Sequence, residues 1–220
     1  IPVVGGASAG GMTGILMASA IHNQISPVSS ISSGKLLDQI PNNKFYHTWV
    51  DLLAKNMFPL LLDTADIKTK QIYSLLNSTF IDDVAKRVIW SDPNTSIHRP
   101  YIEEHLKIFT TLTNLQGFPF NIAFTSNAPG ASQYIVRNHN DYACFILNKD
   151  LSDYAHDGWI PLDFRHRVNV NIAAQAAIAT GAFPLGLRAR QLGRRSDYVN
   201  ENMWLRPITK NNPIESPVYE

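Results

Sequence analysis

The chain has 220 residues, of which 45% are hydrophobic, and its 19 basic and 18 acidic side chains leave a net charge of +1. This length suits one substantial core and is short for two ordinary domains. The balanced charge without long runs argues against nucleic acid as a partner. The single cysteine excludes an internal disulfide and a cysteine-rich zinc site. No apolar stretch reaches 18 residues, so no transmembrane segment is predicted.

A glycine-rich turn follows the first predicted strand, 1–4, and leads into an apolar helical pattern that runs from about Ala9 to Ile21. The turn contains the G-x-S-x-G pattern of a nucleophile elbow, in which a serine occupies a sharp strand-to-helix turn between very small neighbours. The pattern predicts Ser8 as a nucleophile in an elbow formed by Gly6, Ala7, Ala9 and Gly10. Gly6 and Gly10 meet the demand for small residues, and the backbone at Ala9 and Gly10 is expected to stabilise an oxyanion.

The alternative interpretation of this turn is a glycine-rich loop that binds phosphate or simply packs tightly. A P-loop requires a lysine after its last glycine, and a dinucleotide fingerprint requires G-x-G-x-x-G. Here Met12 and Thr13 follow Gly11, so neither pattern is present.

Helical patterns follow a serine-rich connector at 24–34. One pattern covers about 45–55, and a second covers about 68–89, with a break near Asn77 and Ser78. These helices are expected to cap the site. Their apolar residues either line an acyl pocket or form ordinary core: Trp49, Met57, Phe58, Leu60, Leu61 and Leu62.

The pattern changes to alternation after Leu106 and predicts four short strands, at 108–115, 120–124, 134–136 and 142–147. Turns are expected at 117–119 and 138–141, and Cys144 falls in a buried strand. An alanine-rich helix is predicted from about Val168 to Thr180, stopped by Gly181 and Pro184. After Arg190 no periodic element is predicted.

Two segments resemble the patatin-like phospholipase family: the elbow from Gly6 to Gly11 and the small-residue block from Ala173 to Pro184, which ends in Ala-Phe-Pro. They occur in the family's order. The resemblance implies one three-layer α/β/α domain over 1–220 with a mainly parallel central sheet. It also implies a lipid acyl hydrolase with a Ser-Asp dyad, in which the aspartate activates Ser8 without a histidine and no metal or cofactor takes part.

Two features of the family's pattern are missing. The glycine-rich oxyanion loop upstream of the elbow is absent because the chain begins at Ile1, and no D-G-[AG] motif follows Pro184. The pair Asp157-Gly158 precedes the alanine-rich helix, and Asp197 is followed by Tyr198. We therefore expect a domain truncated at both ends, with the catalytic aspartate beyond Glu220; the alternative is a noncatalytic relative that serves as a lipid-binding or interaction module.

Other constellations give weaker signals. A soluble esterase with a Ser-His-Asp triad would draw its histidine from His139, His156 and His166. The cluster of Asp150, Asp153, His156 and Asp157, like that of His98, Glu103, Glu104 and His105, has no known metal-ligand spacing, so no metal site is predicted. Four arginines after the Ala-Phe-Pro turn either hold a lipid phosphate or form an exposed basic loop: Arg188, Arg190, Arg194 and Arg195.

The expected partner is thus a lipid or phospholipid substrate. The sequence leaves open whether the substrate is met at a membrane surface, and a cytoplasmic or peripheral membrane location is expected. Oligomeric state, acyl chain and head group are not determined by the sequence.

Overall fold

The central sheet has four strands in chain order. The structure, a computed structural model, describes residues 1–27, 43–51, 57–67, 71–89, 97–123, 133–147, 157–210 and 213–214. β1 pairs parallel with β2, β2 pairs antiparallel with β3, and β3 pairs parallel with β4, so two of the three pairings are parallel. The strands are β1 (Val3–Gly6), β2 (Lys107–Ala123), β3 (Gln133–Leu147) and β4 (Ile160–Leu162). An α/β fold with an open, mostly parallel sheet is confirmed at this level.

Helices occupy both ends of the described chain: α1 (Ala9–Ala20), α2 (Lys44–Tyr46) with the π-helical turn His47–Asp51, α3 (Phe58–Leu61), α4 (Thr79–Val88), α5 (Val170–Gly181), α6 (Ser196–Asn200) and α7 (Arg206–Thr209). α1 and α5 confirm the two helices predicted with small residues. They pack closely, and a Cβ on Gly181 would lie 2.3 Å from the Met12 sulfur. Among the described helices, none is long and apolar enough to cross a membrane.

One face of the sheet carries the main aliphatic core. Side chains alternate between the two faces along a strand, so Ile108 of β2 and Phe145 of β3 point to the same side. There they pack against α1, α4 and α5, whose contributions include Ile15, Leu16, Val84, Val88, Ala173, Ala176 and Ala177. The first face therefore fixes the position of α1 relative to β1, and hence of the turn that joins them.

The opposite face is covered by aromatic residues. Cys144 and Ile146 of β3 pack there against Trp159 and Trp204, and the Trp204 ring lies 4.9 Å from that of Phe109. Further along β2, Phe118 is buried against Val199 and Leu205, contributed by α6 and the turn before α7. The segment after Arg190, for which the sequence predicts no periodic element, thus supplies the cover of the second face.

The prediction of four short strands after Leu106 was wrong, because β2 and β3 are each continuous. The turn expected at 117–119 is a register irregularity between Thr113 and Phe118. The Asn114 side chain accepts hydrogen bonds from the N–H groups of Gln116 and Gly117, each at 2.9 Å, and the φ of Gly117 is +70°. The turn expected at 138–141 lies inside β3. β4 was missed because it has only three residues.

The helix predicted over 68–89 is present only from Thr79. The expected break near Asn77 and Ser78 is confirmed, but residues 71–78 are not helical. Their N–H groups bond elsewhere: Leu75 donates to the Leu185 carbonyl at 2.9 Å, and Leu76 donates to the Gly186 carbonyl at 3.0 Å. Parts of the predicted connector, helices and strands lie outside the described residues, at 28–34, 52–55, 68–70 and 124.

Candidate active site at the β1–α1 turn

Ser8 occupies a strained backbone conformation at the junction of β1 and α1. Its φ is 52° and its ψ is −128°, and it is exposed to solvent. Positive φ is uncommon for a residue that is not glycine, and such a conformation costs about 1–3 kcal/mol, which the surrounding structure must offset. The side chain thus stands on the sharp strand-to-helix turn that the motif predicts.

The turn is tight because two glycines let backbone and side chains approach it closely. A Cβ on Gly6 would lie 2.5 Å from the carbonyl carbon of Gly10. A Cβ on Gly11 would lie 2.1 Å from the hydroxyl oxygen of Thr110, which pairs with Gly6 in the β1–β2 register. No atom of the described chain lies within 4 Å of a Cβ on Gly10. Gly6 therefore meets the predicted steric demand, and Gly11 is a second crowded position, whereas a Cβ on Gly10 would have room.

Hydrogen bonds fix the turn at Ser8 and Gly10. The N–H of Ser8 donates to the Thr180 hydroxyl at 2.9 Å, and the N–H of Gly10 donates to the Ala7 carbonyl at 3.0 Å. Among the hydrogen bonds of the described residues, none is donated by the N–H of Ala9 or of Gly11. An oxyanion beside Ser8 would therefore find its backbone donor at Ala9, the residue after the nucleophile, while the Gly10 N–H, also predicted for this role, is occupied.

Thr180 is a contributor that the sequence analysis missed. It lies near the C-terminal end of α5, and its hydroxyl accepts the Ser8 N–H across 172 residues of chain. Its methyl group would lie 2.8 Å from a Cβ on Gly11. The threonine interrupts the run of alanines directly before Gly181, and this polar residue in a small-residue helix was the available signal.

A cleft of about 620 Å³ opens beside Ser8. Its floor is formed by β2 and its walls by the end of α5 and the chain that follows, and most of its lining is apolar: Ala7, Tyr73, Leu112, Leu115, Ala179, Ala182, Phe183, Pro184, Leu185, Leu187, Ala189 and Leu192. Ligand sites combine such apolar walls with a few polar groups. The aromatic and aliphatic residues between Trp49 and Leu62, one predicted lining of an acyl pocket, do not line this cleft.

The predicted triad histidines do not meet Ser8 in the described structure. The ring of His139 hydrogen-bonds to the Asn114 carbonyl at 2.6 Å, and that of His166 pairs with Asp163 at 2.6 Å in a separate cavity of about 460 Å³. His156 lies outside the described residues. No described histidine, aspartate or glutamate lines the cleft beside Ser8.

The two aspartates considered in place of the missing motif have local roles. Asp157 accepts the Trp159 N–H at 3.3 Å, and the following Gly158, with φ +74°, packs against the backbone of Asn202. Asp197 lies in the first turn of α6 and forms an ion pair with Arg195. Asp150 and Asp153 lie outside the described residues, and the described part of the chain contains no group of three potential metal ligands.

The arginines after α5 are not a shared phosphate site. Arg190 donates to both carboxylate oxygens of Asp82, at 2.7 and 2.8 Å. Arg194 is buried in an ion pair with Asp141, so the exposed-loop interpretation is wrong for this residue. Arg188 is exposed, and its guanidinium lies 4.8 Å from the centre of the Tyr73 ring.

Cys144 and Lys44 are buried groups with shifted pKa values, and neither lines the cleft. Burial raises the pKa of Cys144 to about 12, which makes the thiol unreactive at neutral pH. Burial lowers the pKa of Lys44 from 10.5 to about 7, and its ammonium donates to the hydroxyl of buried Ser19 at 3.2 Å. Both residues belong to the core and not to a substrate site.

Comparison of the chain with protein-family models, with curated proteins and with solved structures returned no match. The functional argument therefore depends on the geometry at Ser8.

Proposed function

We propose that this chain is a serine hydrolase domain, specifically a patatin-like lipid acyl hydrolase with a three-layer α/β/α architecture, and that Ser8 is its nucleophile. The observation that carries the proposal is the backbone of Ser8, with φ 52° and ψ −128° at the end of a strand and the start of a helix. A G-x-S-x-G sequence that occurs by chance is not expected to place its serine in a strained strand-to-helix turn, whereas a nucleophile elbow requires this conformation.

The reaction begins when the Ser8 hydroxyl oxygen attacks the carbonyl carbon of an ester and gives its proton to a base. The negative charge of the tetrahedral intermediate develops on the former carbonyl oxygen, where the Ala9 N–H and the positive end of the α1 dipole stabilise it. The alcohol then leaves with a proton, and water hydrolyses the acyl-enzyme. In the proposed Ser-Asp dyad the base is an aspartate, which we do not assign to a described residue.

The lining of the cleft supports an acyl substrate. Side chains such as Leu112, Leu187 and Leu192 offer an apolar wall of the kind that an acyl chain buries well. Two other functions remain as alternatives: a soluble esterase with a histidine-containing triad, and a catalytically silent lipid-binding module on the same fold. The first would need a histidine beside Ser8, and no described histidine lies there.

A fluorophosphonate probe tests the proposal, because it reacts only with an activated serine. The complete product of the gene is labelled and analysed by intact mass, beside its Ser8→Ala variant and a Ser19→Ala control. Ser19 is fully buried and hydrogen-bonded to the Leu16 carbonyl, so its removal should leave labelling unchanged. Labelling that disappears only with Ser8→Ala supports the hydrolase, and a chain without labelling favours the silent module.

Histidine variants then separate the two enzyme classes. The dyad predicts that no single His→Ala change abolishes ester hydrolysis. A loss of about a thousandfold or more in kcat at one histidine would instead indicate a triad.

A further inference from the structure

An exposed apolar rim surrounds the mouth of the Ser8 cleft. Tyr73, Leu115, Phe183 and Leu185 all line the cleft, yet their exposed fractions are 59%, 71%, 72% and 81%. We call these four residues the cleft rim. Single exposed apolar side chains are normal on protein surfaces, but a group of them around one opening marks a site of interaction.

The backbone holds part of the rim in place. Phe183 and Leu185 lie on a turn after α5, in which the Phe183 carbonyl accepts the Leu187 N–H at 2.9 Å. Leu185 has a positive φ of 64°, an unfavourable conformation for leucine. The Leu185 carbonyl also accepts the Leu75 N–H, as described above. The exposure of Leu185 is thus built into a hydrogen-bonded turn.

The charge at the rim is positive. Arg188 is exposed and stacks on the ring of the rim residue Tyr73, and it has no carboxylate partner in the described part of the chain. The charge of Arg190, deeper in the cleft, is balanced by Asp82. Apolar side chains beside an exposed cation complement the surface of a phospholipid aggregate, where acyl chains lie just below phosphate groups. A symmetric contact between two copies through this surface would bring the two Arg188 side chains together, which like-charge repulsion opposes.

We propose that the cleft rim docks on the surface of phospholipid aggregates, with Phe183 and Leu185 inserted among the acyl chains and Arg188 at the level of the phosphates. This inference rests on the proposed function, because a lipid acyl hydrolase gains from a cleft that opens directly into the lipid phase. Docking would place a substrate ester beside Ser8 without its full transfer through water.

Vesicle co-sedimentation measures docking separately from catalysis. Ser8→Ala protein, which does not consume lipid, is mixed with vesicles of phosphatidylcholine or of phosphatidylcholine with phosphatidylglycerol. The rim variant is Phe183→Ser/Leu185→Asn, in which asparagine accepts the positive φ. The matched control is Ile135→Ala/Met203→Ala, two apolar residues outside the cleft with exposed fractions of 69% and 63%.

We expect the rim variant to bind both vesicles at least about tenfold more weakly, since two large apolar side chains no longer enter lipid, while the control binds as the parent does. Arg188→Gln should weaken binding mainly to the anionic vesicles. Equal binding by the rim variant and the parent, or a parent that does not bind vesicles, would overturn docking. So would a parent dimer in solution that the rim variant dissociates, since a second copy would then be the occupant. Labelling of Ser8 is read separately, so failure of docking and failure of the hydrolase proposal are distinguishable.

Discussion

The two faces of the sheet are held in different ways. The first face is aliphatic and close-packed, and helices α1 and α5 approach each other and the strands through glycine and alanine. The second face is aromatic, with Trp204 at its centre, and is covered by short helices and irregular chain. Close packing of small side chains therefore determines how the helices lie on the first face. The Ser8 turn is part of this face.

Directional polar contacts position the cover of the second face. Asn202 donates to the sulfur of Cys144 at 3.2 Å and accepts the N–H groups of Trp204 and Leu205, at 3.0 and 3.3 Å. Arg194, in the chain that leads to α6, is bound to Asp141 of β3. A segment with little periodic structure is thus fixed to the sheet by buried hydrogen bonds, which are costly to leave unmade. A lost polar partner should therefore destabilise the second face more than a lost methyl group destabilises the first.

The largest effect is expected from Arg194→Met, which breaks the link between the C-terminal segment and the sheet. Asp141 is 1% exposed, and burial raises the pKa of its carboxyl while the Arg194 guanidinium opposes that rise. Removal of one partner leaves the other buried and unpaired, a change that costs about 3–5 kcal/mol. The free energy of unfolding in urea should fall by that amount.

Two controls make this prediction specific. The double variant Asp141→Leu/Arg194→Met removes both charges and should recover much of the loss. Arg195→Met breaks the exposed pair with Asp197 and should cost at most about 1 kcal/mol. If Arg194→Met were as mild as Arg195→Met, the ion pair would not hold the second face.

A smaller effect is expected from Gly11→Ala, which tests shape on the first face. The added Cβ would lie 2.1 Å from the Thr110 hydroxyl oxygen and 3.1 Å from the Gly6 carbonyl oxygen. Overpacking of this kind costs about 1–3 kcal/mol, and it should also shift the turn that carries Ser8. Urea unfolding measures the loss of stability, and fluorophosphonate labelling follows the geometry of Ser8.

Gly10→Ala is the matched control, since the neighbouring glycine has room for a Cβ. Alanine is the better helix former by about 1 kcal/mol, so the variant should be as stable as the parent or slightly more so. A loss of stability in Gly10→Ala equal to that in Gly11→Ala would contradict this account, because crowding by Thr110 would then not explain the need for glycine at position 11.

Some elements and the strand-to-helix turn at Ser8 could be predicted from the sequence. β1, α1, α5, the break near Asn77 and the buried Cys144 follow from local pattern, and Ser8 follows from the demand of its turn for tiny neighbours. These features depend on residues that are close together in sequence, so a local pattern can reveal them.

The features that the sequence did not reveal depend on distant partners. Thr180 reaches Ser8 from the far end of the chain, and Gly11 is crowded by Thr110 of β2. The apolar residues at 71–76 have helical spacing, but their backbone instead hydrogen-bonds to the turn at 185–186. In this non-helical segment Ile72 and Leu75 are exposed. Irregular chain over the second face has no period to detect.

An effect of similar size, visible only as a change with pH, is expected at a buried polar contact against α1, where Lys44 donates to the carbonyl and hydroxyl of Ser19. The pKa of Lys44 in the folded chain is about 7, below its value of 10.5 in the unfolded chain. Between these pH values the unfolded state binds more protons, so this group makes stability rise with pH, by at most about 1.4 kcal/mol per pH unit. In Lys44→Met the contribution vanishes. Urea unfolding at about pH 7 and pH 9 should therefore show a gain in the parent that exceeds the variant's gain by about 2 kcal/mol. Equal gains would mean that Lys44 keeps its proton in the fold, and that the first face, like the second, accommodates a buried charge.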